Sequence, residues 1–575
     1  MDKAIDSSDC AGYKAKGEWA KPTLHERATS LDAEVVSALV EIVGEQYVQT
    51  TPQHLEENSR VTIPKNTLCS AVVYPGSVAE IQAIFKLAAH SKFNIWCFSR
   101  GNNWGYGTKN ALEGGAVILI LERMNRILEV NEDLAYAVVE PGVTQQQLNE
   151  YLQKNNSRLW TDCTDSTPYG SVLGNAIERG YGYTPYGDHF AHLCGMEVVL
   201  PNGELIRTGG ILSNSNTWNT HKWGHGPYVE GLFSQSNFGI VVKAGIWLMP
   251  KPELFNVVTF DLTDEANLPI LIDRLRELAL EGIFKSHLHM VNDFQMLSVV
   301  SRYPYELLEG NTYLSARSMQ TLRHKYGIAP WSLVGAIYGS SAQLNLKKSS
   351  LKKHLSDLGK LEFFDRQKVS VVENFTKIYK KTAPNSLKFK LLNLVKLALS
   401  PKHIEVMSLL PDMYGILQGI PTERIIKSAY FKASGLAPEK EVNPARDNCG
   451  VMWLAPAFPA SGKYAQELLD VVKPLYRQYG FDFSGCIARM GDRTFYALFG
   501  IFFDRENTQE SDRAIELYQN LVEVTQKSGY QLYRSGIPYW NCGNTESVGL
   551  INLLNSIKQT VDPEGIFAPG RYGIF

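Results

Sequence analysis

Two stretches rich in glycine and small polar residues mark places where backbone can close on a bound group. The first is Ser99-Arg100-Gly101-Asn102-Asn103-Trp104-Gly105-Tyr106-Gly107, which follows an apolar run; its glycines permit positive φ and close approach, as an anion cradle requires. It lacks the Lys-Ser/Thr pair of a nucleoside-triphosphate loop and the GxGxxG spacing of a dinucleotide fingerprint. The second stretch runs from Gly170 to Gly187, with glycines at 170, 174, 180, 182 and 187. A third segment, GLFSQSNFGIVVKAGIWLMPKP, sets the amides of Gly239 and Ile240 beside a strand. Two such loops ahead of hairpin strands point to a large phosphate-bearing cofactor held across them.

The elements that must position these loops are legible around them. CSAVVYPG, FNIWCFSRG, AVILILERM and LAYAVVEPG are short apolar strands, VAEIQAIFKLAAHS has helical spacing, and Val143 to Asn155 forms a helix. Strands bracket Pro201-Asn202-Gly203, a hairpin tip. Near Met249-Pro250-Lys251-Pro252 the pattern changes to long helices mixed with strands such as 450–454 and 494–503, so a domain boundary is expected there. Residues 345–402 carry 14 Lys or Arg against 4 Asp or Glu. The basic helix LKFKLLNLVKLAL within them is read as an apolar face on the core with lysines in solvent; contact with a membrane or an acidic partner is the other reading.

A chain of 575 residues exceeds one hydrophobic core, which excludes a small binding module. With 57 Lys plus Arg against 59 Asp plus Glu there is no basic field to hold nucleic acid. The eight cysteines include no CxxC pair and are read as buried free thiols. The polar start MDKAIDSSDC and the lack of any apolar run long enough to span a bilayer lead to the expectation of a cytoplasmic protein without an integral membrane segment. The 28 Tyr, 24 Phe and 10 Trp suit aromatic-lined pockets and packed cores equally.

Eight ordered motifs, SAVVYPGSVAEIQ, GYG at 105–107, VEPGV at 139–143, ERGYGYTPYGDH, CGMEVVLPNGE, GLFSQSNFGIV, LYR at 532–534 and DPEGIFAPGRYGI, together resemble the vanillyl-alcohol oxidase and p-cresol methylhydroxylase family of FAD-binding oxidoreductases. The resemblance extends over residues 65–575. It implies a two-domain α+β protein: an FAD-binding domain from residues 1–252, an α/β cap domain over 253–504 that covers the substrate, and a carboxyl-terminal segment, 505–575, returning to the first domain. It further implies that Ser99, Arg100, Gly101, Asn102, Asn103, Trp104 and Gly105, with Gly170, Ser171, Gly174 and Asn175, line the pyrophosphate. Gly182 and Tyr183 belong to the same cofactor set, and Pro75, Gly239, Ile240 and Arg571 fall nearer the adenine or ring ends.

For the substrate, the resemblance implies that Tyr106, Tyr533 and Arg534 hold the oxygen of a para-substituted phenol as phenolate. A free phenol ionises near pH 10, so keeping its anion near neutrality takes about three units, or about 4 kcal/mol, of selective stabilisation. A guanidinium with two phenolic donors supplies this through charge-assisted hydrogen bonds; the competing reading of Arg534 is a structural ion-pair partner. Asp165 matches the position of a carboxylate that assists hydride transfer and proton removal. Asp162 is the alternative, and either could simply cap a turn.

Two departures from the family pattern stand out. In and before CGVMWLAP the positions that usually tether FAD fall on Val451 and Asn443, neither of which forms such a bond, and no His follows His403, so FAD is expected to be noncovalent. In ARMGDRTFYALFGIFF the usual His pair is replaced by Phe495-Tyr496, leaving Tyr496 as a possible donor to substrate in an otherwise apolar strand. The expected activity is oxidation of a 4-alkylphenol or 4-hydroxybenzylic alcohol through a quinone methide, with oxygen or a cytochrome as acceptor, in a homodimer. The alternatives are a tailoring oxidase of a larger secondary metabolite and a flavin-binding subunit with little catalysis.

Overall fold

The computed structural model describes residues 31–381, 401–540 and 548–575. The amino-terminal MDKAIDSSDC, Cys542 and the basic stretch 387–399 lie outside the described residues. In the described part of the basic segment, helix Ser341–Leu355 buries Leu344, Leu351 and Leu355. Lys377 pairs with Glu373 at 2.5 Å and Lys380 with Glu405 at 3.0 Å, as expected of a solvated face.

The first sheet contains β1 (Val48–Gln49), β2 (Ala71–Val73), β3 (Ile95–Phe98) and β4 (Val117–Ile120) in the order β1-β2-β4-β3. The last three are parallel, because helix Val78–Ser91 carries the chain from β2 across to β3. Ser77 starts that helix by accepting from the Glu80 N–H at 3.2 Å.

The next strands are β5 (Ile127–Asn131), β6 (Tyr136–Val139), β7 (Leu159–Trp160), β8 (Leu193–Val199), β9 (Leu205–Arg207), β10 (Ile240–Trp247) and β11 (Met249–Pro250). Five make an antiparallel sheet, β5-β6-β10-β8-β9, and β7 pairs with β11. The β8–β9 hairpin turns at Gly203, whose φ of 89° is the reason for glycine there. Val199, Ile240 and Val242 of this sheet pack into the core of the first.

The third sheet is larger. It contains β12 (Leu254–Leu262), β13 (Leu288–Asn292), β14 (Trp331–Gly339), β15 (Gly359–Phe364), β16 (Gly450–Pro459), β17 (Ser484–Arg489), β18 (Thr494–Phe503) and β19 (Leu532–Arg534). Their order is β15-β12-β14-β13-β17-β18-β16-β19, antiparallel throughout. Side chains alternate across a strand, so one face buries Phe260, Leu262, Leu333 and Phe499 with residues of helices Leu268–Leu280, Gly462–Gln478 and Thr508–Lys527. The other face carries Thr259, Asp261, His289, Val291, Val334 and Leu498 toward a cavity.

The segment 505–534, assigned from the sequence to the returning carboxyl-terminal part, instead packs on the third sheet. Leu517, Tyr518, Leu521 and Val522 join that sheet's core, and β19 pairs with β16. The apolar stripe of this helix decides the matter, since it has the sheet's helical layer to bury against. Helix Val548–Val561 and the residues after it do return. Ile566 and Phe567 enter the first core, and Ile95 exchanges backbone hydrogen bonds of 2.8 Å with Ile566 and Ala568. Buried Lys558 fixes this segment by pairing with Asp562 at 2.7 Å and donating to the carbonyls of Asn237 and Phe567.

Candidate active site

Where β3 ends, the chain enters the first glycine stretch, and Ser99, Arg100, Gly101, Asn102 and Asn103 form one wall of a narrow cavity of about 160 Å³. The opposite wall is the turn Gly170–Asn175, with Gly239 and Ile240 at the start of β10 and Arg571 from the carboxyl-terminal segment. Ser171 holds its turn by accepting from the Gly174 N–H at 2.8 Å and donating to the Pro141 carbonyl at 2.6 Å. A Cβ on Gly174 would lie 2.7 Å from Ser99 Oγ, so the two glycine stretches approach each other only because that residue is glycine. Arg571 pairs with partly buried Glu178, which also accepts from the Tyr572 hydroxyl at 2.6 Å. Burial alone would push Glu178 up, but Arg571, Arg534 and Tyr572 hold its carboxyl below the usual range. Arg571 Nε is buried without a hydrogen-bond partner. A cleft bounded by two glycine stretches, with guanidinium groups at its sides and an unspent donor, fits a pyrophosphate-bearing cofactor.

A second cavity, of about 700 Å³, adjoins the first, and Asn102, Asn103, Tyr106, Asn175 and Arg534 belong to both walls. Its inner end holds the predicted phenol-binding set. β19 delivers Tyr533 and Arg534, and Gly536 lets that segment pass the loop, since a Cβ there would lie 2.0 Å from the Tyr106 carbonyl oxygen. The Arg534 guanidinium sits 4.8 Å from the Tyr106 ring centroid and donates to Asn103 Oδ1 at 2.6 Å. Arg534 has no carboxylate within ion-pair distance among the described residues, and its Nε is buried and unpartnered; the buried Tyr106 hydroxyl faces that of Tyr533. Burial raises both Tyr106 and Tyr533, and Arg534 opposes the shift in each. The site therefore offers two neutral phenol donors and a cation with unspent capacity, an arrangement that binds an oxyanion.

Asp165 lines the same cavity and accepts from the Tyr183 hydroxyl at 2.6 Å. Burial pushes its carboxyl up, and the Tyr183 hydrogen bond only partly offsets this. Asp162 is elsewhere. It accepts from the backbone N–H groups of Tyr183 and Thr184, at 3.2 and 2.8 Å, from the Thr184 hydroxyl, and lies 3.3 Å from His189 Nε2. Burial would raise it, but His189 and Thr184 bring it below its ordinary value. Asp162 thus organises the turn, while Asp165 faces the cavity.

Several expected residues stand off these walls. Gly105 donates its N–H to Thr62 Oγ1 at 2.7 Å and packs on Trp453, leaving nothing for a phosphate. Gly182 is needed for packing, since a Cβ would sit 1.7 Å from Asp162 Oδ1. Pro75 is buried at the end of β2, outside both sets of lining residues. Trp104 and Tyr183 line the second cavity rather than the first. Tyr496 stacks on Tyr533, with centroids 4.0 Å apart and planes 1° apart, and is not among the cavity's lining residues, so it supports Tyr533 from behind. Phe495 points into the helical core of the sheet. Val451 lies in an apolar cluster, and Asn443 Oδ1 caps a turn by accepting from the Arg446 N–H at 3.1 Å.

The sequence reading missed His289 and Tyr181. His289 lines the second cavity from β13; its ring lies 5.4 Å from Tyr181 and 3.8 Å from Tyr183, and its Nδ1 is buried without a partner. Burial holds the imidazole neutral, its pKa lowered to about 3. His287 and His289 are two apart in SHLHMVN and so share one face of an extended chain, but nothing in the sequence shows whether that face meets a ligand.

Comparison with known proteins defines the class first. A family described as "FAD binding domain" matches residues 69–209. The chain is 34% identical over 540 residues, 93% of its length and 96% of the relative's, to 1'-carboxy-chondrochloren decarboxylase of Chondromyces crocatus. It is 29% identical over 93% of its length to the 4-cresol dehydrogenase [hydroxylating] flavoprotein subunit of Pseudomonas putida, covering 94% of that protein. The structure of p-cresol methylhydroxylase with substrate bound superposes with a TM-score of 0.80 at 27% identity, covering 94% of this chain and 96% of that one. The chain belongs to the p-cresol methylhydroxylase and vanillyl-alcohol oxidase family of FAD flavoproteins, and it is an FAD-dependent oxidoreductase with the two-domain α+β fold of that family. Among the described residues, no helix is long and apolar enough to cross a membrane.

Proposed function

We propose that this flavoprotein oxidises a para-hydroxyphenyl compound at its benzylic carbon. The observation that carries the reading is Arg534, which has no carboxylate within ion-pair distance among the described residues and a buried, unpartnered Nε, grouped with Tyr106 and Tyr533 in the second cavity. These three groups bind the phenol oxygen and favour its anion. Negative charge at that oxygen pushes electron density through the ring, so the benzylic carbon can release hydride and leave a quinone methide. FAD, when bound, supplies the hydride acceptor. Asp165, held by Tyr183, takes the proton from water that adds to the benzylic carbon, giving the alcohol. Tyr496 positions the Tyr533 ring.

A second reading is favoured by the 34% identity to a decarboxylase. If the carbon next to the benzylic position bears a carboxylate, the quinone methide loses CO2; the electrons of the broken bond restore the phenolate and form a new double bond, and no water is added. An anaerobic screen of 4-alkylphenols, 4-hydroxybenzylic alcohols and 3-(4-hydroxyphenyl) carboxylic acids tests both readings. Bleaching of the flavin by any of them supports phenol oxidation, and CO2 released one-for-one with flavin reduction selects the second reading. No bleaching by any member refutes both. Readmitting air or adding a cytochrome then identifies the acceptor.

We infer in addition that FAD is held without a covalent bond, because Val451 and Asn443 occupy the usual tethering positions and neither is among the residues that line the two cavities. After acid precipitation, flavin colour is expected in the supernatant; colour retained by the washed polypeptide would contradict this. A homodimer remains the proposed assembly, tested by light scattering.

A further inference from the structure

We propose that the second cavity continues past the phenol-binding end into an apolar arm that holds a long alkyl or acyl substituent at the para position of the substrate. The proposal rests on the phenol reading above and names the substrate class more narrowly. On the cavity-facing side of the third sheet, His289 of β13 stands beside the Asp165–Tyr183 pair, and the lining continues across β14, β12 and β15. Three strand spacings of about 4.8 Å make this roughly 14 Å. Its walls are Val291 and Val334 from the sheet, with Met296, Val299, Leu410 and Met413 from facing helices. The sheet floor is mixed: Ser332, opposite Val291 on β14, donates to Asp261 of β12 at 2.7 Å, Thr259 lies beside Val334, and Lys360 pairs with Glu362 at 2.7 Å on β15 at the far end.

The size of the cavity argues against a small substrate. Of its about 700 Å³, the end near Arg534 adjoins the cofactor cleft, and the remainder extends across three further strands, beyond the reach of the one ring and one carbon of a methylphenol. The space near Arg534 is shared with the first cavity, but none of the six wall residues of the arm lines that cavity. An apolar tail laid against these walls gains dispersion contacts with them. Methionines adapt to tails of differing shape. A passage that begins at an oxyanion site, with an apolar helical wall over a partly polar floor, suits a chain attached to a phenol that carries polar groups along or at the end of it.

The test is titration of the holoenzyme with 4-alkoxyphenols from methoxy to octyloxy, which carry oxygen where the benzylic carbon would be and so cannot form the quinone methide. Dissociation constants are expected to fall by up to about fourfold per methylene, with an increasingly negative heat-capacity change. Val334→Phe and Val291→Phe, each judged folded by its binding of 4-methoxyphenol, are expected to flatten the series. A wild-type series in which 4-methoxyphenol binds but affinity is independent of chain length overturns the arm and leaves the phenol reading standing. Failure of every member to bind, 4-methoxyphenol included, overturns the phenol reading and the arm with it.

Discussion

The two cavities are built from different materials. The first is bounded by two glycine stretches that approach closely at Gly174 and Ser99, with the Arg571–Glu178 pair and side chains such as Trp96, Phe98 and Phe567 completing the wall. The second is walled by side chains that project from one face of a sheet and from the helices opposite it. A backbone wall fixes the shape of a common cofactor and tolerates little change. A side-chain wall can be rewritten one residue at a time without disturbing the strands that carry it. Arg534 and Asn103 belong to both, so the anion site is anchored to the cofactor cleft, while the rest of the second pocket is set by other side chains.

The largest way to break this division is Arg534→Met. It removes the cation that favours phenolate while keeping the side chain's bulk, so kcat/KM for phenols should fall on the order of a thousandfold, the equivalent of about three pKa units. Flavin content, measured from the absorbance spectrum, should remain near wild type, because the first cavity keeps its backbone. Loss of flavin together with activity would show that the two regions are not separable in this way.

Asp165→Asn is expected to lower the rate about a hundredfold, within the range of general acid–base catalysis, and to stabilise the fold at neutral pH. The sign follows from its raised folded pKa. Below about 3.9, the unfolded value, the carboxyl is protonated in both states; as pH rises through the folded pKa, the folded state bears the cost of a buried charge. Asp162→Asn should do the opposite, since its carboxyl is held low in the fold and contributes stability that is lost as pH falls through that depressed value. Thermal melts of the two variants at pH 7 check this: a higher midpoint for the first, a lower one for the second.

Tyr496→Phe should have the smallest effect. The stacked ring remains and only a hydroxyl off the cavity wall is lost, so steady-state rates with a 4-alkylphenol should stay within about threefold of wild type, against a larger loss for Tyr533→Phe. A drop in Tyr496→Phe as large as that in Tyr533→Phe would place the Tyr496 hydroxyl on the substrate.

Much of the first region was legible before the structure because its determinants are local. A glycine where φ must be positive, or where a Cβ would strike Ser99, leaves its mark at its own position in the chain. Gly105 and Gly182 look the same in sequence and serve packing instead, since what they pack on, Trp453 and Asp162, is invisible from the motif. The second region was only partly legible. Tyr533-Arg534 was recognised through a short motif, but the pocket wall is drawn from β12 to β19, and which face of each strand meets the ligand depends on how distant strands register. His289 escaped notice for that reason. The boundary at 505 was misplaced because the amphipathic helix Thr508–Lys527 does not announce which sheet it will cover.

The central claim is that Arg534, Tyr106 and Tyr533 select an ionisable phenol oxygen. It is tested most directly by mixing the oxidised holoenzyme, without oxygen, with a 4-alkylphenol and with its methyl ether, equal in all but the ionisable proton. The phenol is predicted to bleach the flavin while the ether leaves it oxidised over the same interval; comparable reduction by both compounds, or by the ether alone, would contradict the account.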